Sequence, residues 1–219
     1  MTINLQIQKS LGELVYLDLK HKIMTGKINT HTRLKELDLV EEMNVSRTPI
    51  RKAIRKLATD GLVVIEPRRG AYVSDISTKR MMDLFEVRED LEGLAAYLAS
   101  QRITDEEKRV LSKIHLQYEE AVANRNKSEI VEFDEKFHNQ IVSCSRNKNL
   151  IRMVNQIQEL SLRFRYLYYD DLNAFDRISE EHKGIMDAII SGDADKARQA
   201  TDRHIQELKQ FISNPQNIQ

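Results

Sequence analysis

The chain has 219 residues, 34 Lys and Arg against 34 Asp and Glu, one Cys, three Pro and no Trp, with 41% hydrophobic residues. This length suggests one large domain or two small ones, and an apolar content spread along the whole chain excludes a disordered protein. A single Cys excludes an intramolecular disulfide, and no apolar run is long enough for a signal peptide or a membrane span, so a cytoplasmic protein without a membrane partner is expected.

The neutral total conceals an asymmetry. Residues 1–75 hold 13 Lys and Arg against nine Asp and Glu, whereas residues 76–219 hold 21 against 25. Arg47, Arg51, Lys52, Arg55 and Lys56 fall in a stretch without an acid, and Arg68 and Arg69 follow. A charge split between halves is one sign of a nucleic-acid module joined to something else, although the short run alone reads equally as a solvated helix face.

In chain order, Leu11, Leu14, Val15, Leu19 and Ile23 recur at helical spacing and predict a first helix closed by Gly26. A second short helix begins near Lys35 and places Leu37, Val40 and Met43 on one side. Ser46 is a good N-cap, and Pro49 is tolerated in the first turn of a third helix with Ile50, Ile54 and Leu57 as its buried stripe. Gly61 ends that helix. The β-branched segment Leu62 to Glu66 runs into Pro67-Arg68-Arg69-Gly70 and resumes at Ala71-Tyr72-Val73, which predicts a hairpin of two short strands. Apolar periodicity pauses near 74–78, which sets domains of 1–75 and 76–219. No Pro lies between Pro67 and Pro215, and about six helices are predicted at 78–101, 104–124, 127–144, 147–170, 175–191 and 193–213. Thr104 with Glu107 forms a capping box, and Asp193 is a plausible cap of the last helix. The fold class is mainly α: an N-terminal winged helix-turn-helix with a small β-hairpin, then a C-terminal all-α antiparallel helical bundle.

The dimensions of a duplex explain the first layout. A major groove admits one helix, whose N-terminal residues reach base edges while Ser and Thr hydroxyls hold phosphates. The candidates are Ser46, Arg47, Thr48 and Arg51, with Arg47 and Arg51 four apart on one face. Arg68, Arg69 and Gly70 at the hairpin tip lie against the backbone or the adjacent minor groove. Lys52, Arg55 and Lys56 read as exposed residues with only long-range attraction to phosphate.

In the second part, Asp134 and His138 are four apart and project from one face of a helix, as two ligands of one metal must. His182 and His204 reach the same point only in an antiparallel bundle. One carboxylate and three imidazoles suit a divalent ion such as zinc, nickel, cobalt or manganese. Taken singly, each histidine is more often a satisfied or exposed side chain than a ligand.

The run VSRTPIRKAIRKLATDGLVVIEPRRGAYVS resembles the DNA-binding domain of the GntR family of bacterial transcription regulators, and RLKELDLVEEMN resembles its supporting helix. Asn29-Thr30-His31 and Lys52 depart from the family's usual residues. VREDLEGLAAYLA, FDEKFHNQIV and EEHKGIMDAIISGDADKARQATDRHI resemble the all-helical FCD effector domain of the FadR-like branch, and six rather than seven helices resembles the VanR-type subgroup. The resemblance implies a metal held by Asp134, His138, His182 and His204, a small carboxylate effector, and a homodimer on a double-stranded DNA operator. His115 matches nothing in that pattern and is left as a surface or packing residue. Arg88 matches a frequently retained arginine that either pairs with the effector's carboxylate or forms an ion pair with Glu92 one turn on. Arg163, Arg165, Tyr168 and Tyr169 read either as lining the same cavity or as core with snorkelling arginines.

The function expected is a ligand-controlled transcription regulator and not an enzyme. A metal-sensing regulator is the alternative; a metalloenzyme is the more distant one, because four protein ligands favour holding an ion over turnover. Repression or activation depends on where the operator lies relative to a promoter.

Overall fold

The computed structural model describes residues 10–74, 78–168 and 175–213, and within them the side chains of 159–160, 162–168 and 175–176 are not described. The chain divides into two compact units, Met1–Ile76 and Ser77–Gln219. Residues 75–77, at the expected hinge, lie outside the described residues.

In the first unit, α1 (Leu11–Met24) opens at Ser10, whose side chain accepts from the Glu13 amide. Its buried stripe is Val15, Tyr16, Leu19 and Ile23. Leu11 and Leu14, expected inside, are about half exposed. Leu14 stands about 100° around the helix axis from Val15, off the stripe, and Tyr16 occupies the core side instead, donating its hydroxyl to Asp60 at 2.6 Å. Strand β1 (Arg33–Leu34) precedes α2 (Glu36–Met43). The expected apolar side of α2 is also corrected: Leu39 is buried, Val40 and Met43 are half-buried, and Leu37 is 61% exposed. Asn44 in the left-handed region turns the chain toward α3 (Arg47–Thr59). Helix α3 buries Pro49, Ile50, Ala53, Ile54 and Leu57, the predicted stripe with two additions.

Strands β2 (Val63–Glu66) and β3 (Gly70–Val73) form the predicted antiparallel hairpin, with Val63 opposite Val73 and Glu66 opposite Gly70. The sheet has a third strand that the sequence does not announce, because β1 is two residues long and shows no alternation. It pairs antiparallel with β3, Arg33 opposite Tyr72 and Leu34 opposite Ala71, in the order β1-β3-β2.

The second unit contains α4 (Thr78–Arg102), α5 (Asp105–Ala123), α6 (Lys127–Cys144), α7 (Lys148–Tyr168), α8 (Phe175–Ser191) and α9 (Ala194–Ser213), each within a few residues of its predicted span. The capping box of Thr104 and Glu107 is formed, and Asp193 accepts from the Lys196 amide. Helix α4 packs on α9, α6 and α7, and α5 packs on α6 and α8. Small residues permit the close approaches: Ala96, Ala99, Ala188 and Ala197 share one core with Phe137, Ile141 and Ile189. Gly93 is the extreme case, since a Cβ there would collide with Asp202 Oδ1. Among the described residues no helix is long and apolar enough to cross a membrane.

Candidate functional site

Two groups of side chains have the chemistry of a site, one in each unit. In the first, Ser46, Arg47 and Thr48 are all exposed where α3 begins. Ser46 occupies the N-cap position, but its side chain makes no capping hydrogen bond, and the first turn carries no acid. The amides of that turn and the hydroxyls beside them therefore face solvent with the positive end of the helix dipole, an arrangement that favours an anion. Arg47 and Arg68 have no ion pair among the described residues. Arg51 differs: Glu36 on α2 accepts from its Nε at 2.8 and 3.0 Å. The sequence offered no cue to that pair, which needs α2 and α3 crossed as they are.

At the hairpin tip Arg68 adopts a left-handed conformation, φ +64, and Arg69 pairs with Glu66 at 2.9 Å. Gly70 has φ +116, and a Cβ there would stand 3.0 Å from Arg33 Nε. Only glycine both accepts that conformation and leaves room for the Arg33 side chain.

In the second unit α6, α8 and α9 bring His138, His182 and His204 together, with one nitrogen of each within 4.8 Å of the others. All three are 3% exposed or less. Asp134, one turn before His138, places Oδ1 3.5 Å from His182 Nε2 and 3.8 Å from His138 Nε2. Three of the four predicted ligands thus lie at one place, and Asp134 lies beside two of them, outside the mutual grouping of the three imidazoles. His138 Nδ1 stands 3.1 Å from Glu92, and His204 Nδ1 2.7 Å from Glu181. A carboxylate has no proton to give, so each imidazole donates from Nδ1 and keeps its lone pair on Nε2. His138 Nε2, both His182 nitrogens and His204 Nε2 are buried without a hydrogen-bond partner. Orphaned buried imidazole nitrogens are costly, and outer carboxylates that fix the tautomer are what metal-ligating histidines carry. The donor set therefore fits a divalent ion.

The electrostatics agree. Burial is the largest cause lowering His138, and burial followed by the neighbouring His204 holds His182 well below the ordinary imidazole value. Both rings are thus kept neutral, the ligating form. Burial pushes the Glu92 carboxyl up, but Arg88 and His138 outweigh it and hold Glu92 well below the usual carboxylate range. Phe137 stacks on His182 with centroids 4.5 Å apart, and Tyr118 lies at 4.9 Å, so aromatic rings close the site.

Arg88 is fully buried and bonds Glu92 through Nε at 2.7 Å and Nη2 at 3.4 Å. Of its two expected partners the structure contains the ion pair, and Gln158 on α7 donates to the same carboxylate at 3.1 Å. Glu181 and Gln158 were not foreseen: Glu181 serves a histidine on another helix, and Gln158 carries no spacing signal. His115 is buried rather than at the surface, 3.5 Å from Glu119 and beside Phe137. Burial lowers it, and it lies outside the histidine trio. The side chains of Arg163, Arg165, Tyr168 and Tyr169 lie outside the described residues.

Comparison with known proteins addresses both units. Residues 11–73 match the model for bacterial regulatory proteins of the gntR family, and residues 83–207 match the FCD domain. The chain is 30% identical to the uncharacterized HTH-type transcriptional regulator YdhC of Bacillus subtilis, covering 84% of this chain and 83% of that one. It is 31% identical to the Nta operon transcriptional regulator of Aminobacter aminovorans, covering 80% and 81%. The HTH-type transcriptional repressor RspR of Escherichia coli is 28% identical over 97% of this chain and 94% of its own length. The solved structure of E. coli McbR/YncC shares the fold, with a TM-score of 0.78 at 20% identity over 94% of this chain and 98% of that one.

Proposed function

The chain belongs to the GntR family of bacterial transcription regulators and carries an FCD effector-binding domain, and on that premise we propose a homodimeric, cytoplasmic regulator whose grip on a DNA operator is set by a metal-held organic acid. The observation that carries the DNA reading is the exposed, acid-free start of α3 with its unused Ser46 hydroxyl. Residues 1–75 form the reading head: Ser46 and Thr48 hold phosphate, Arg47 and Arg51 face base edges in the major groove, and Arg68, Arg69 and Gly70 touch the backbone or minor groove. Residues 76–219 bind the effector and join the two copies. Six helices among this unit's described residues support the VanR-type subgroup. Relatives named as repressors support repression over activation.

Asp134, His138, His182 and His204 hold the ion, which supplies a fixed positive charge to an effector's carboxylate. Glu92 and Glu181 orient two of those ligands. Arg88 is the second handle for the effector, and the incoming carboxylate exchanges with Glu92 for its guanidinium. The test of the central reading is binding of the full-length protein to its own promoter region and to random duplex at several salt concentrations. A preference for the promoter supports it, and equal affinity contradicts it. Titrating zinc into that assay with and without citrate distinguishes the effector reading from metal sensing, in which the ion alone changes operator affinity.

A further inference from the structure

The first unit contains a cleft of about 540 Å³ lying between β1, the start of α2, α3 and the hairpin. Its polar lining includes Arg33, Lys35, Glu36, Asp38, Arg51 and Arg55. These charges are not equivalent. Glu36 is neutralised by Arg51 at 2.8 Å, and Asp38 by Lys35 at 3.5 Å. Arg33 and Arg55 are exposed, and neither has an ion pair among the described residues. Two uncompensated guanidinium groups therefore remain in a cleft whose other charges cancel. Apolar Leu34 and Ile54, both buried, and the exposed Leu37 and Ile65 also line the cleft.

Duplex topology gives such a cleft an occupant. The major and minor grooves are separated by one sugar–phosphate strand, so a module with α3 in one groove and the hairpin tip in the next must straddle that strand. The cleft lies between these two elements. Gly70 contributes by absence, since a side chain there would press on the Arg33 guanidinium. We propose that this cleft seats the sugar–phosphate strand between the two grooves, with Arg33 and Arg55 as its phosphate contacts and Arg51 kept from that role by Glu36. This rests on the DNA-binding reading and extends it to two residues that sequence spacing did not select.

Phosphate contacts and base contacts leave different signatures. A lost phosphate contact weakens binding to all sequences alike and lowers the salt slope, whereas a lost base contact relaxes preference at one position. The full-length protein is first used to enrich duplexes from a random pool, and binding of an enriched and an unselected duplex is then measured across salt concentrations. Arg33→Gln and Arg55→Gln are each expected to lower the slope of log affinity against log salt by about one. Both duplexes weaken by a similar factor, and base preference is unchanged. Arg55→Lys keeps the charge and should keep the slope, and Lys27→Gln, an exposed cation outside the cleft, should leave it unaltered. Unchanged slopes in the two glutamine variants, with wild-type thermal unfolding, overturn the proposal, as does a changed preference at a single base. Failure to enrich any duplex counts instead against the DNA-binding reading.

Discussion

The two units treat charge in opposite ways. Around α3 and the hairpin the cations are exposed and either without an ion pair among the described residues or held in solvent-facing pairs such as Arg51 with Glu36 and Arg69 with Glu66. In the helical unit Arg88, Glu92, Asp134 and three histidines are each 4% exposed or less and depend on one another. Exposed charges act additively, are screened by salt and cost little to remove. Buried ones act as a set, because removing one member strands the others. An exposed charged surface can therefore change residue by residue, whereas a buried charged set changes as a whole.

The largest expected effect tests that claim. Glu92→Ala leaves the Arg88 guanidinium buried without its carboxylate, and a loss of about 3–5 kcal/mol of unfolding free energy is expected in urea denaturation. Glu36→Ala, which strands an exposed Arg51, should cost at most about 1 kcal/mol in the same assay. Equal losses would break the comparison.

Metal comes next. Zinc at about 100 times its dissociation constant should stabilise the full-length protein by about 2.7 kcal/mol, seen as a raised thermal midpoint that a chelator reverses. His182→Ala should abolish most of that rise. His115→Ala, which removes an equally buried ring outside the trio, should keep it, and loss in both variants would deny the trio its special role.

In the exposed unit, Arg47→Ala is expected to weaken operator binding by about 1–3 kcal/mol if its fork reads a base, with stability within about 0.5 kcal/mol of wild type. A binding loss accompanied by unfolding would place Arg47 in the structure of the helix instead.

The last effect, absent at neutral pH, concerns Cys144. Burial, the largest cause, pushes its thiol up to about 11. A raised value means that the folded protein holds this proton where the unfolded chain, near the ordinary thiol value of about 8.5, releases it. The corresponding stability is fully present at neutral pH and declines as pH rises from about 9 toward 11. Cys144→Ala should flatten that decline, and a thiol reagent at pH 8 should label Cys144 only after unfolding.

Most of the fold was legible in the sequence. Helix spans in the second unit followed from apolar spacing and the caps at Thr104 and Asp193, which act within one turn and can be read without tertiary context. Strand β1 was not legible, since two residues carry no period. Leu37 and Leu14 misled because apolar identity does not say which side of a short helix meets its neighbour. At the buried site His138 and Asp134 share one helix face by arithmetic, but Glu181 facing His204 and Gln158 facing Glu92 arise from packing between helices. The same limit hid the pairing of Arg51 with Glu36.

On the proposed reading, occupancy of the buried histidine site changes operator affinity in the exposed head. The direct measurement is fluorescence anisotropy of a promoter-region duplex with full-length wild type and His182→Ala, each with and without zinc plus citrate. A change of about 5–150-fold in wild-type operator affinity is expected, matching a coupling of about 1–3 kcal/mol, and none in the variant. Operator affinity that ignores zinc and citrate in wild type, or responds equally in His182→Ala, would contradict it.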